Sequence, residues 1–179
     1  MINATLKNAK ILIIDDNLNN IEMLVELLHL QEYKNIESTT DSRLAMSIYE
    51  SYKPDLILLD LMMPHLSGQQ ILHQLKKIKP EGSFIPILVL TAQLSEVARK
   101  EALTLGANDF VSKPFDLTEV ALRIRNLLYT RYLFCSIEKV NAELSVTLHE
   151  TKVDLGLTQI DLLLAEGAIF KENISNKNI

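Results

Sequence analysis

Polar side chains that can bind a metal ion or phosphate stand directly after short apolar runs of this 179-residue chain. They are Asp15 and Asp16, then Asp60, Thr91 and Lys113. A single aspartate in such a place is usually a helix cap, and a single lysine is usually solvated surface. If the apolar runs are parallel strands, however, their carboxyl ends share one edge of a sheet, where ligands bind. We therefore expect these five side chains to form one cluster.

Three members of this cluster are carboxylates, which repel one another unless a cation lies between them. Mg2+ prefers oxygen ligands and keeps coordination positions for water and for a phosphate group. A carboxylate in such a site can act as a nucleophile toward phosphorus, as aspartate does where an aspartyl phosphate forms. The lysine ammonium and the threonine hydroxyl are suited to contact the phosphoryl oxygens. The residue types therefore predict a magnesium site that handles phosphate.

The apolar runs alternate with longer stretches of helical period, which is the pattern of a parallel sheet with crossover helices. Strands are predicted at residues 11–14, 36–39, 56–59, 87–90 and 110–112. Helices are predicted to begin near Leu18, Asp41, Leu66, Ser95 and Leu117. Capping residues are predicted at Asn17, Thr40 and Asp116. The fold class is therefore α/β, a doubly wound (βα)5 unit ending near residue 130, and of its five strands only the second is expected at an edge.

Composition limits the classes of function. Apolar residues make up 47% of the chain and charged residues 23%, which is ordinary globular usage. The net charge is −5 and there is no basic block, although nucleic-acid binding depends on Lys and Arg that neutralise phosphates. No run has the length of a membrane span, and the first ten residues lack the apolar run of a secretory signal. We expect a cytoplasmic protein that binds neither nucleic acid nor membrane.

The fifth helix has no evident end, because no proline occurs between residue 117 and about residue 170. A heptad-like apolar seam can be followed along Thr130, Leu133, Ile137, Val140, Leu144, Leu148, Thr151, Leu155, Thr158, Leu162 and Ala165. The step from Leu144 to Leu148 is a stutter, which unwinds a coiled coil locally without ending it. Such a stripe either folds back on its own domain or pairs with a second chain. We favour a homodimer, because the segment is too long to dock on a small domain.

These patterns predict three segments. Residues 1–130 form the (βα)5 domain, and residues 131–170 form an extended helix for coiled-coil dimerisation. Residues 171–179 are polar and are expected to fray.

Four short motifs carry a resemblance to a known family. They are IIDD at residues 13–16, LLDLMMP at 58–64 with Gly68 following, LTA at 90–92, and SKPF at 112–115. In this order and spacing, over residues 9 to about 128, the chain resembles the response-regulator receiver family of two-component signalling. The resemblance implies a flavodoxin-like fold that accepts a phosphoryl group from a histidine kinase or a histidine phosphotransfer protein. It also implies that the chain is a phosphoryl acceptor rather than an enzyme.

The resemblance assigns a role to each matched carboxylate. It makes Asp60 the phosphoacceptor, and it makes Asp16 and Asp60 direct ligands of Mg2+. Asp15 is implied to help bind the ion through water. The backbone carbonyl of Met62 is implied to complete the metal site.

The same resemblance concerns the residues that contact the phosphoryl group and respond to it. Thr91 and Lys113 match the phosphate-contacting pair, and the Lys113–Pro114 bond is implied to be cis. Phe110 falls at the aromatic switch position, although a strand residue of the core would look the same. Phosphorylation is implied to draw Thr91 toward Asp60, to let Phe110 rotate inward, and so to alter the surface of helix four, strand five and helix five.

The C-terminal part has a second resemblance. Residues 123–132, 141–151 and 157–173 are similar to the linker of receiver proteins that carry an HD-GYP phosphodiesterase of cyclic di-GMP. The His-Asp pair and the Gly-Tyr-Pro motif of that domain do not occur in this chain. The chain is therefore either a stand-alone receiver or the N-terminal fragment of a longer regulator.

Two other functions compete with the phosphorylated switch. One is a dimerising adaptor that works without phosphorylation and uses the α/β domain as a scaffold. The other is a haloacid-dehalogenase-like phosphatase, which needs a D-x-D pair, whereas Asp60 is followed by Leu61 and Met62.

Overall fold

The computed structural model describes residues 5–78, 83–92 and 95–154, with side chains up to residue 151. Its strands are β1 (Lys10–Ile14), β2 (Asn35–Thr39), β3 (Leu56–Leu59), β4 (Ile87–Thr91) and β5 (Asp109–Ser112). Its helices are α1 (Leu18–Leu30), α2 (Ala45–Tyr52), α3 (Gly68–Ile78), α4 (Glu96–Thr104) and α5 (Leu117–Asp154). A short 3-10 helix (Ser42–Leu44) precedes α2.

All five strands belong to one parallel sheet with the order β2-β1-β3-β4-β5. The predicted (βα)5 fold is confirmed, and β2 is an edge strand as predicted. The expectation that only β2 is an edge strand was wrong, because β5 forms the other edge. Phe110 and Val111 of β5 are buried, since helices cover both faces of a parallel sheet out to its margin. An apolar run therefore does not distinguish an edge strand from a central one.

The core has two layers, one on each face of the sheet. Side chains of a strand point to alternate faces, so Ile11 and Ile13 of β1 pack with residues of α1 and α5, such as Leu24 and Ile124. The intervening positions of β1 pack on the other face against α2, α3 and α4. This double burial explains why β1, β3 and β4 are continuous apolar runs.

Local hydrogen bonds set the starts of the helices. The Asn17 side chain accepts from the backbone nitrogen of Asn19, which caps α1 as predicted. Asp116 likewise accepts from the backbone nitrogen of Thr118 at the start of α5. The predicted cap at Thr40 was wrong, because the capping side chain is Asp41, whose backbone is extended there.

The long C-terminal helix is also confirmed, since α5 runs from Leu117 to Asp154. The chain divides into two units between Phe134 and Cys135. Seam side chains of α5 are exposed, namely Leu133, Ile137, Val140, Leu144 and Leu148. The seam positions from Leu155 onward, and the tail at 171–179, lie outside the described residues. None of the helices in the described ranges combines the length and apolarity needed to span a bilayer.

Candidate functional site

The carboxyl ends of β1, β3 and β5 carry the predicted cluster. Backbone hydrogen bonds continue past the strand ends and hold the residues that follow them. The backbone nitrogen of Asp60 donates to the Ile14 carbonyl at 2.9 Å, and that of Lys113 donates to the Thr91 carbonyl at 3.0 Å. The sheet itself therefore fixes the backbone of the residues that bear these polar side chains.

Lys113 links two of the carboxylates. Its Nζ lies 2.6 Å from Oδ2 of Asp15 and 2.5 Å from Oδ2 of Asp60. Asp15 is 2% exposed and Asp60 is 6% exposed. Burial alone would lower the pKa of Lys113, but the hydrogen bonds and negative charges of Asp15 and Asp60 outweigh it and raise the pKa. The ammonium is therefore charged at neutral pH and joins the two buried carboxylates.

Asp15 also accepts hydrogen bonds from two asparagines. The backbone nitrogen of Asn17 lies 3.0 Å from Oδ1 of Asp15. The side-chain nitrogen of Asn20 lies 3.0 Å from Oδ1 and 3.2 Å from Oδ2. The sequence analysis missed Asn20, although its place in the first turn of a helix that begins just after the aspartates is a usable signal.

Asp16 completes a group of three carboxylates. One oxygen each from Asp15, Asp16 and Asp60 can be chosen so that all three lie within 4.8 Å of one another. Asp16 is exposed, and within the described part of the chain no donor contacts its carboxylate. Three carboxylates and one ammonium leave two net negative charges, which a single divalent cation balances. Oxygen donors with one side open to water fit Mg2+.

The loop from β3 to α3 carries Asp60 and is held at several points. The backbone nitrogen of Met62 donates to Oδ1 of Asp60 at 3.0 Å, and the backbone nitrogen of Gly68 donates to the Leu61 carbonyl at 3.0 Å. Position 68 has no room for a side chain, because an added Cβ would lie 2.3 Å from the Asp60 carbonyl oxygen. Glycine at this position therefore lets α3 start against the backbone of Asp60.

Ser42 holds the other end of this loop. Its hydroxyl donates to the Pro64 carbonyl at 2.8 Å and accepts from the backbone nitrogen of Leu66 at 3.1 Å. Ser42 is buried and comes from the turn after β2, which is why no local sequence pattern pointed to it. The β3–α3 loop is thus tied to a neighbouring turn of the fold.

Thr91 and Phe110 belong to β4 and β5, which are neighbouring strands of the sheet. Thr91 ends β4, is fully buried, and pairs in register with Ser112 of β5. The Phe110 ring is 8% exposed, and the Arg99 guanidinium of α4 lies 5.7 Å from its centre. The Lys113–Pro114 bond is cis, as predicted.

Comparison with known proteins identifies the class to which this fold and site belong. Residues 11–125 match the model of the response regulator receiver domain, and the chain belongs to that family. The response regulator MprA of Mycolicibacterium vanbaalenii is 40% identical over 120 residues, which are 67% of this chain and 50% of that protein. The probable transcriptional regulatory protein TcrX of Mycobacterium tuberculosis is 36% identical over 118 residues, 66% of this chain and 49% of that protein. The chain thus spans about half the length of these curated relatives.

Solved structures show the same fold. The signal receiver domain of a DNA binding response regulator (merR) from Colwellia psychrerythraea 34H superimposes with a TM-score of 0.63 at 29% identity. The alignment covers 68% of this chain and 99% of that one.

Proposed function

We propose that this chain is a two-component receiver that accepts a phosphoryl group on Asp60 from a histidine kinase or a histidine phosphotransfer protein in the cytoplasm. The observation that carries the proposal is the bridge from Lys113 to Asp15 and Asp60 beside a third carboxylate, Asp16. A lone capping aspartate does not require a partly buried ammonium beside it, whereas a phosphoryl acceptor does, because the ammonium can move with the negative charge onto the phosphoryl oxygens.

The transfer balances as a displacement at phosphorus. A carboxylate oxygen of Asp60 forms a bond to phosphorus, the bond from phosphorus to the donor's imidazole nitrogen breaks, and its electron pair returns to the ring. Lys113 moves from the carboxylates toward the phosphoryl oxygens, and the Thr91 hydroxyl donates to one of them. Mg2+ held by Asp16, Asp60 and the Met62 carbonyl, with Asp15 acting through water, would offset the negative charge of the phosphoryl group.

The response to the phosphoryl group is proposed to run through Thr91 and Phe110 to the surface of α4, β5 and α5. Phe110 is 8% exposed in this conformation, and the proposal is that phosphorylation turns its ring further inward. The Arg99 guanidinium above the ring belongs to α4 and would follow the ring when it moves.

An assay with acetyl phosphate and Mg2+ tests the acceptor role, with intact-mass spectrometry as the readout. Wild type is expected to gain the mass of one phosphoryl group, and Asp60→Asn to gain none. Asp55→Asn is the matched control. Asp55 immediately precedes β3 at the amino ends of the strands, away from the cluster, and its side chain accepts a hydrogen bond from the backbone nitrogen of Lys10. Absence of phosphate in wild type would refute the switch and favour the phosphorylation-independent adaptor.

We further propose that the helix at residues 131–170 pairs two copies of the chain and that the receiver occupies residues 1–130. Support comes from seam side chains such as Ile137, Val140 and Leu144, which are 57 to 60% exposed. Apolar side chains at heptad spacing are commonly covered by the same helix of a second chain. The seam is also compatible with the alternative that the chain is part of a cyclic di-GMP phosphodiesterase regulator.

Two double variants of the intact chain test the pairing by light scattering. Ile137→Asp with Leu144→Asp puts two charges on the seam, and is expected to give monomers. Cys135→Asp with Ala142→Asp puts the same charges at the same spacing on the opposite side of the helix, and is expected to leave the dimer. A wild-type chain with the mass of a monomer would refute pairing while leaving the acceptor role untouched.

A further inference from the structure

The two neighbouring aspartates after β1 have very different surroundings. Asp15 is 2% exposed, and its carboxylate accepts from the side chains of Lys113 and Asn20 and from the backbone nitrogen of Asn17. Asp16 is exposed, and no donor in the described ranges reaches its carboxylate. Asp15 is therefore committed to partners within the protein, while Asp16 is open to a ligand.

Asn20 makes this difference, because its amide nitrogen lies close to both oxygens of Asp15, at 3.0 Å and 3.2 Å. A donor that spans both oxygens opposes rotation of the carboxylate about its bond to Cβ. It leaves Oδ2 facing the Lys113 ammonium at 2.6 Å. We propose that Asn20 is a positioning residue that holds Asp15 in place as the anchor for Lys113 and keeps it from coordinating the divalent cation directly. This inference rests on the proposed function, since Asn20 positions a residue of that same site.

The physical argument is one of competition for the lone pairs of a buried carboxylate. Such a group must have its acceptor positions satisfied, and each lone pair taken by an amide is lost to a metal ion. Without the Asn20 amide, Oδ1 of Asp15 keeps the backbone donor from Asn17 alone, and the carboxylate can turn toward the cation. Metal binding should then tighten. Lys113 would lose its fixed partner at the same time, so phosphoryl transfer should slow.

These two effects have opposite signs, and a merely destabilised site would not produce that combination. The probe is Mn2+, titrated into the intact unphosphorylated chain, with free Mn2+ measured by electron paramagnetic resonance. Asn20→Ala is expected to bind Mn2+ at least about threefold more tightly than wild type. Its initial rate of phosphorylation by acetyl phosphate at saturating Mg2+ is expected to fall about tenfold.

Asn35→Ala is the matched control, since the Asn35 amide also donates to a protein oxygen, the Asn8 carbonyl at 2.7 Å, but at the amino end of β2. It should match wild type in both measurements. Asn20→Ser serves as a second variant in case alanine impairs folding, because one hydroxyl cannot span both oxygens, and it should change both quantities in the same directions. Unchanged or weaker Mn2+ binding in folded Asn20 variants would overturn the inference. If wild type binds Mn2+ but takes up no phosphate, the proposed function fails, and the Mn2+ comparison still decides the role of Asn20.

Discussion

Replacing Gly68 by alanine should displace Asp60 itself. A Cβ at this position would lie 2.3 Å from the Asp60 carbonyl oxygen and 2.7 Å from the Cα of Leu61. Both neighbours are backbone atoms, so neither can turn aside as the end of a flexible side chain does. The loop must therefore move away from α3, and Asp60 must move with it.

The magnitude follows from the distances. To reach an ordinary contact of 3.4 Å the Asp60 carbonyl must shift by about 1 Å. Overpacking of this kind costs about 1 to 3 kcal/mol, and the preference of helix interiors for alanine offsets little of it, because Gly68 is the first residue of α3. Because the clash is with backbone, we expect a net destabilisation of about 2 kcal/mol. A displacement of about 1 Å at a reacting group can cost about 100-fold in rate, so we expect phosphorylation to slow by about tenfold to 100-fold.

Gly106→Ala is the matched control. Gly106 follows the C-cap of α4 with a φ of 107°, and an added Cβ there meets nothing within 4 Å. Alanine is strained at that φ and should cost about 1 to 2 kcal/mol through the backbone alone. Urea unfolding gives the free energy of unfolding of each variant, and the initial rate of phosphorylation by acetyl phosphate is measured where both are folded.

The two alanine variants should show similar losses in free energy of unfolding, and only Gly68→Ala should show a large fall in the rate of phosphorylation. A Gly68→Ala protein that is phosphorylated at the wild-type rate would refute the steric reasoning. An equal loss of rate in Gly106→Ala would show that stability, and not the position of Asp60, controls the reaction.

Three further predictions concern the surroundings of the site. Ser42→Ala removes two hydrogen bonds to the backbone of the β3–α3 loop and should lower the free energy of unfolding by about 2 kcal/mol. Its control, Ser51→Ala at an exposed helical position, should change that free energy by less than about 0.5 kcal/mol. Equal losses of free energy in the two variants, measured by urea unfolding, would contradict this. The Arg43 hydrogen bonds lower the pKa of Asp41 from 3.8 to about 2, so the stability that they add is present above pH 3.8 and is lost as the pH falls through 2. In an NMR titration, Arg43→Met should return the pKa of Asp41 toward 3.8. An unchanged pKa would contradict the assignment. The pKa of Lys113 is raised above 10.5 by the hydrogen bonds and charges of Asp15 and Asp60, so the stability that its ammonium adds is present at neutral pH and is lost as the pH rises through the higher folded value. The difference in free energy of unfolding between wild type and Lys113→Met should therefore be constant between pH 7 and 9 and shrink above pH 10.5, and a difference that shrinks between pH 7 and 9 would contradict this.

Much of the fold could be read from the order of residues. The ends of each predicted strand lie within one residue of the ends of the observed strand. In β1, β3 and β4 this is because runs buried on both faces stop where a polar residue follows. The long α5 was equally visible, since nothing in its sequence interrupts helical period before residue 154. Two details were not visible. β5 is buried like a central strand although it is an edge, and Asp41 rather than Thr40 caps the second helical segment, because backbone angles decide between adjacent capping side chains.

By itself the sequence determined that Asp15, Asp16, Asp60 and Lys113 stand at the carboxyl ends of parallel strands. That placement follows from periodicity alone, since parallel strands end at the same edge of a sheet. Only the tertiary structure decided which atoms meet. Lys113 reaches Oδ2 of Asp15 from 98 residues further along the chain, and Ser42 reaches the β3–α3 loop from the segment after β2. Contacts of this kind depend on the packing of helices against the sheet, which no local pattern of residue types specifies.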